Sequence, residues 1–504
     1  MKNSCFILLL TVWVCACSKK TEEKPNYLHQ RSELIKENES LRFDADIVLN
    51  AQEKALDEKL VTLRKEMTAD YLKTSFFPPS EPFFKSKEHI EETTLFQLFR
   101  KMPKGGIQHL HSSAGIDFRW LINRAQQEPD CYIYWGPKHP NHIKGQLHFY
   151  KETAVKEGFL PASEVLAKAS NRQELLELLI LDQETVSDST DIWAEFENVF
   201  NRINGFFHYQ PLFKDYLRSA VDTLLADGVQ HTEIRMIFFG GLYDLEHSKG
   251  SGFYDADAMA SLLQELIDEV KAVHPEFSMK FIYTHLRFMK KEDVFKELVN
   301  AYELRKKYPD LIRGFDLVAN EDDGNSTLHF LENWEKMDSL EQVYGVDMPL
   351  YLHDGESDWA SVQNLYDAYL LRSKRIGHGF NLMHFPALIN DIKSADICIE
   401  VSPLSNQILG YIDDLRLHPA SYMLKNGVQI SINSDDPGIF NYNGLSYDYW
   451  TIFLAWEMDL KALKKLSMNA LTYSALSEEE KKVAFTHWQK QWDTFIEEGN
   501  RILD

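Results

Sequence analysis

Residues 348–357 read MPLYLHDGES: an apolar run from Met348 to Leu352 gives way at once to His353, Asp354 and Glu356. A run this short and apolar predicts a buried strand, and the charges at its end predict a loop that faces either water or a site. The pattern recurs along the chain. Gly106–Leu110, His231–Phe239, Met279–Tyr283, Ile312–Val318, Arg375–Gly377, Asp396–Val401 and Gln429–Asn433 are also short apolar runs, each followed by helical sequence. Strands that alternate with helices predict parallel βα units, and eight of them predict a closed (β/α)8 barrel of the TIM type. That barrel domain is expected over residues 96–504, with an insertion after the first strand at about 126–190, where the connection is longer than one helix needs.

The amino terminus carries a different message. Lys2 followed by the apolar stretch from Phe6 to Val14 predicts a signal peptide over residues 1–17, too short to span a bilayer. Val14-Cys15-Ala16-Cys17 resembles a bacterial lipobox, so Cys17 is expected to be lipidated and the protein held on the cell envelope. The alternative is ordinary cleavage near Ala16 and secretion. A flexible tether is expected over 18–33, then a helical extension over 34–95. In it Leu49, Leu56, Leu60, Leu63 and Met67 form one apolar stripe that either packs on the barrel or meets a second copy. Beyond the export segment only Cys131 and Cys398 remain, so the fold is not built on disulfides. With 54 basic against 77 acidic residues the net charge is −23, and a surface that acidic repels nucleic acid.

In a barrel, reactive groups collect at the carboxyl ends of strands. Those ends carry His109 and His111, His353 and Glu356, His378, and Asp435-Asp436. Each alone has an ordinary reading: a surface histidine pair, a structural histidine between glycines, a solvated acidic loop. Together they assemble three imidazoles and a carboxylate, a donor set suited to zinc. Glu356, just beyond His353, is placed to move a proton without ligating the metal.

The stretches MPKGGIQHLHSSAG, LHDGES, RIGHGF, EVSPLSNQ and SINSDDP resemble, in that order, the motifs of the adenosine deaminase family of metal-dependent hydrolases. FFPPSEPFF, GFDLVANEDDG, GLSYDYW, SMNALTYS and WQKQWDTFI extend the likeness to its secreted branch, the adenosine deaminase-related growth factors. The resemblance implies one Zn2+ per chain on His109, His111, His353 and Asp435, with hydrolytic deamination of adenosine, and of 2′-deoxyadenosine, to the inosine product and ammonia. It implies that Glu356 protonates ring nitrogen N1, His378 deprotonates the attacking water and Asp436 holds N7. It also implies a homodimer joined through the amino-terminal helices. Two positions depart from the branch: Ser112 stands where an aspartate faces the ribose, and Ala319 where a glycine approaches the purine. With Ser113 and Trp120 they are assigned to the substrate pocket, which leaves another 6-aminopurine nucleoside as an alternative substrate. A non-catalytic extracellular binding or signalling protein is the other class, and the intact ligand set argues against it.

Overall fold

Gly105–His111 forms a strand, β1, buried along nearly all its length, with Ile107 and Leu110 in the core. The computed structural model describes residues 26–137, 139–181, 191–247 and 253–504; Cys17, the export segment and residues 18–25 of the expected tether lie outside the described residues. Seven more parallel strands follow: β2 (Val229–Met236), β3 (Ser278–Leu286), β4 (Ile312–Val318), β5 (His353–Asp354), β6 (Arg375–His378), β7 (Cys398–Val401) and β8 (Ile430–Ile432). They form two four-stranded sheets, in the orders β1-β2-β3-β4 and β8-β7-β6-β5. Isolated parallel bridges join Leu110 to Asp435 and Phe315 to Leu350, so each sheet meets the other at both edges. The architecture is α/β with parallel sheets.

One expected strand is displaced. Met348–Leu352 pairs with β4 only through Phe315 N–H to Pro349 O (2.9 Å) and Tyr351 N–H to Phe315 O (3.0 Å). On the β6 side Leu350 O accepts from Lys374 N–H at 2.8 Å, but Leu352 N–H donates to the Ser373 hydroxyl at 3.1 Å, so regular pairing with β6 starts at His353, opposite Gly377. Between β1 and β2 the chain adds a three-stranded antiparallel sheet of Cys131–Tyr134, Leu147–Phe149 and Phe159–Pro161, with Cys131–Tyr134 in the middle. Cys131 and Cys398 are both buried and free.

The amino-terminal segment is helical earlier than expected: Asn26 caps a helix over Tyr27–Leu41, so residues 27–33 are not a tether. The expected helical extension is interrupted ahead of the stripe. Phe43 and Asp44 are buried, Phe43 N–H donates to Leu424 O at 2.9 Å, and Asp44 pairs with Arg42. Helix resumes at Ala51–Thr74 behind a capping box of Asn50 and Glu53. There Leu56 and Leu60 are fully buried in the chain's own core, Leu56 lying close over Gly499 of the carboxyl-terminal helix Glu478–Ile502. That helix begins with a Ser477–Glu480 capping box and buries Trp488, Trp492 and Phe495. Among the described residues no helix is long and apolar enough to cross a membrane.

Candidate metal centre

A strand repeats every two residues, so β1 sends His109 and His111 to the same side. Ligand atoms of His109, His111, His353 and Asp435 all lie within 4.8 Å of one another. Asp435 Oδ1 stands 3.2 Å from His109 Nε2 and 3.1 Å from His111 Nε2, and His353 Nε2 is 3.3 Å from His111 Nε2. Yet His109 Nε2 and Asp435 Oδ1 are buried and make no hydrogen bond. Buried polar atoms that converge without bonding each other fit a shared cation, and three imidazoles with one carboxylate suit a divalent transition metal.

Two of the imidazoles are aimed from behind. His109 Nδ1 lies 2.9 Å from Glu400 Oε2, and His353 Nδ1 lies 2.6 Å from Asp316 Oδ2. A carboxylate in that place fixes the tautomer and leaves Nε2 free for the metal. Arg235 ties the two carboxylates together, donating from Nη2 to Glu400 at 2.6 Å and from Nε to Asp316 at 2.7 Å. Arg375 extends the network from Glu400 (2.5 Å) to Glu233 (2.6 Å). All five of these charged residues are buried, and the sequence reading singles out none of them. The available signal is a full charge inside an apolar strand, which a fold tolerates only when it is paired. Gly377 also matters, since a Cβ there would stand 3.1 Å from His109 Cε1.

The remaining groups separate into acids and bases. Burial, then the charges of Asp435 and Glu321, push the Glu356 carboxyl well above its ordinary range. Asp436 is raised in the same way by burial and by Asp435. Burial acts on Asp435 too, but the close approach and charge of His109 and then His111 hold it well below the usual range. His378, with Nε2 3.6 Å from Glu356 Oε2, is lowered by burial to about 3 despite Asp435. Burial thus favours the protonated form of Glu356 and Asp436 and the neutral form of His378, while Asp435 favours the carboxylate, a division that lets one site give and take protons. His378 and Asp435 have φ of 64° and 62°, backbone strain of about 1–3 kcal/mol each that the surrounding structure must impose.

A family model described as adenosine deaminase matches residues 173–487, and one described as adenosine/AMP deaminase N-terminal matches residues 6–99. The chain is 33% identical to adenosine deaminase 2 of Pongo abelii over 484 residues, 92% of each chain. The chain belongs to the adenosine deaminase family. Adenosine deaminase 2 of Dictyostelium discoideum is 31% identical over 477 residues, covering 94% of this chain and 87% of that one. The deaminase fold is shared more widely: a Burkholderia ambifaria amidohydrolase with bound zinc superposes with a TM-score of 0.55 at 16% identity, over 81% of this chain and 95% of that one.

Around this deaminase centre, Ser112 follows the ligand His111 and is buried, its N–H donating to Arg235 O at 3.1 Å. Ser113 is half-buried, and its carbonyl accepts from Tyr216 Oη at 2.5 Å. Ala319 has φ of 91°, a left-handed conformation that suits glycine. Trp120 goes elsewhere. Its ring packs edge-on to Tyr216 and Phe206, at 5.9 and 6.5 Å, and it lines an outer cleft with Arg119 and Asn441. The helix Phe118–Gln127 that carries it turns the indole towards the neighbouring helices, Ile192–Phe207 and Gln210–Ala226.

Proposed function

We propose that this chain converts adenosine, and 2′-deoxyadenosine, to inosine or 2′-deoxyinosine and ammonia, with one Zn2+ held by His109, His111, His353 and Asp435. The observation that carries the reading is the convergence of four ligand atoms within 4.8 Å of one another, beside Glu356, Asp436 and His378, whose burial favours the uncharged form of each. Zinc at that point supplies a Lewis acid that brings the acidity of a water towards a pKa of about 7. The chain's own residues do the rest. Glu356 gives its proton to purine N1, which makes C6 electrophilic, and His378 accepts a proton from the attacking water. As the C6–N bond breaks, His378 returns that proton to the departing amine, and Glu356 recovers one from the new C6 hydroxyl, leaving the lactam and ammonia. Asp436, protonated, donates to N7 and fixes the ring. Ser112 and Ser113 face the ribose, and Ala319 lies against the base.

The wider organisation is part of the same proposal. The eight strands close as a (β/α)8 barrel over residues 96–504, a reading the bridges at both sheet edges support; residues 34–95 form an extension and 126–190 an insertion. The protein works as a homodimer, supported by the helix Tyr27–Leu41, which buries no residue and exposes Tyr27, Leu28, Leu34, Ile35 and Leu41. It is exported and held on the envelope by lipid on Cys17, supported by the sequence of residues 1–17.

The test is the ultraviolet change when adenosine is mixed with purified protein lacking residues 1–17, alongside metal analysis. Inosine with about one zinc per chain is the expected result. Zinc without turnover of adenosine shifts the reading to another 6-aminopurine nucleoside, which a substrate panel identifies. Neither turnover nor metal, even with added zinc, overturns the proposal in favour of a binding protein.

A further inference from the structure

Past the end of β2 the chain runs through Phe238 and Phe239 into a second cleft of about 660 Å3, which shares no lining residue with the metal centre. That volume is typical of small-molecule sites. His285 lines it. The side chain is 1% exposed, its ring stands edge-on to Phe239 at 4.8 Å, and neither Nδ1 nor Nε2 has a hydrogen-bond partner. A buried imidazole with both nitrogens unmet costs about 1–3 kcal/mol for each orphaned group, and a ligand in the cleft relieves that cost.

The charge of the cleft indicates which ligand. Five carboxylates line it against two ammonium groups, and one of those, Lys307, is tied to Asp257. Asp255 caps the helix Ala256–Val273, Glu297 accepts from Tyr283 Oη at 2.5 Å and Glu303 from Tyr344 Oη at 3.0 Å, each through one oxygen. Asp293 is exposed at the first turn of the helix Lys291–Lys307. Burial lowers the basicity of His285 more than Glu297 and Asp293 raise it, so the ring stays neutral and able to accept. Phe238, stacked on Tyr283 at 5.0 Å, adds a flat apolar wall.

We propose that this cleft binds a small organic ammonium ion on an aromatic or aliphatic body, with Asp293 and Glu297 facing the charge, His285 accepting an N–H and Phe238 and Phe239 covering the body. The site is separate from the deaminase centre and independent of its substrate. Tyramine and its uncharged counterpart 4-ethylphenol, titrated calorimetrically into the zinc-loaded protein lacking residues 1–17, test it. Saturable tyramine binding is expected, with 4-ethylphenol about tenfold weaker or more, and tyramine weakened about fivefold or more in Asp293→Asn and His285→Phe. Asp293 is a surface residue, so its variant keeps the test decisive if the His285 variant fails to fold. No saturable binding at millimolar tyramine, equal binding of 4-ethylphenol, undiminished binding in Asp293→Asn, or displacement of tyramine by inosine overturns the proposal.

Discussion

His109 and His353 each have a buried carboxylate behind Nδ1, and Arg235 links the two carboxylates, whereas His111 has none and its side chain is 18% exposed. The deep wall of the centre is thus set by ion pairs within the protein itself. The shallow wall, taken as His111, Ser112 and Ser113 together with Ala319 of the proposed substrate pocket, has no such carboxylate behind His111. Preorganisation of the deep wall is what allows a cation to bind without reordering the chain.

The largest expected effect lies between the walls. Glu356→Gln keeps the shape but cannot cycle a proton to N1, so kcat should fall by about 10³-fold or more while metal content stays at the wild-type value. Turnover measured with metal analysis checks it, and unchanged kcat would remove Glu356 from the mechanism.

Acid stability probes the base of the deep wall. Burial alone would raise the Glu233 carboxyl, yet the Arg375 charge, His231 and the Ala475 amide hold it down at about 2, from an ordinary 4.5. A carboxylate depressed in the folded state stabilises fully above its unfolded pKa and loses that contribution as pH falls. Unfolding free energy should therefore drop by roughly 3 kcal/mol between about pH 4.5 and 2 from this group alone. Denaturant titrations across that window should show the slope flattened in Glu233→Gln; an identical slope in the variant counts against the pairing.

Next in size is Asp316→Asn, which keeps the volume behind His353 but weakens its anchor. Metal affinity should fall by about 10- to 100-fold, read by competition with a chelator. Unaltered affinity would make the deep wall no different from the shallow one.

What the sequence reveals follows the same division. The converging histidines and acids are legible because each is a polar residue at the end of an apolar run, and so is the parallel α/β plan, because apolar runs alternate with helical stretches. Glu400, Arg235 and Asp316 are not, since their roles depend on which strands become neighbours. Arg235 lies opposite Ile282 of β3 and reaches Glu400 of β7 only across the interior. The break at Phe43 within the expected extension is hidden for a related reason: burial of Phe43 beside Leu424 is a contact made nearly four hundred residues away. The packing of Trp120 on Tyr216 and Phe206 is equally hidden, since both partners lie about ninety residues further along the chain.

The smallest expected effect concerns the shallow wall. Ala319 stands at φ 91°, where its Cβ strains the backbone by about 1–3 kcal/mol, while glycine gives back roughly 0.5–1 kcal/mol as unfolded-state entropy. Ala319→Gly should therefore stabilise the protein by about 1 kcal/mol in denaturant unfolding. If the methyl also narrows the space for the purine, the same change lowers KM for adenosine with kcat unmoved. Stability without a KM change would place Ala319 in the fold rather than the pocket. A loss of stability would mean that the strain is absorbed elsewhere along Val318–Asn320, and that the shallow wall is held more firmly than its lack of carboxylates suggests.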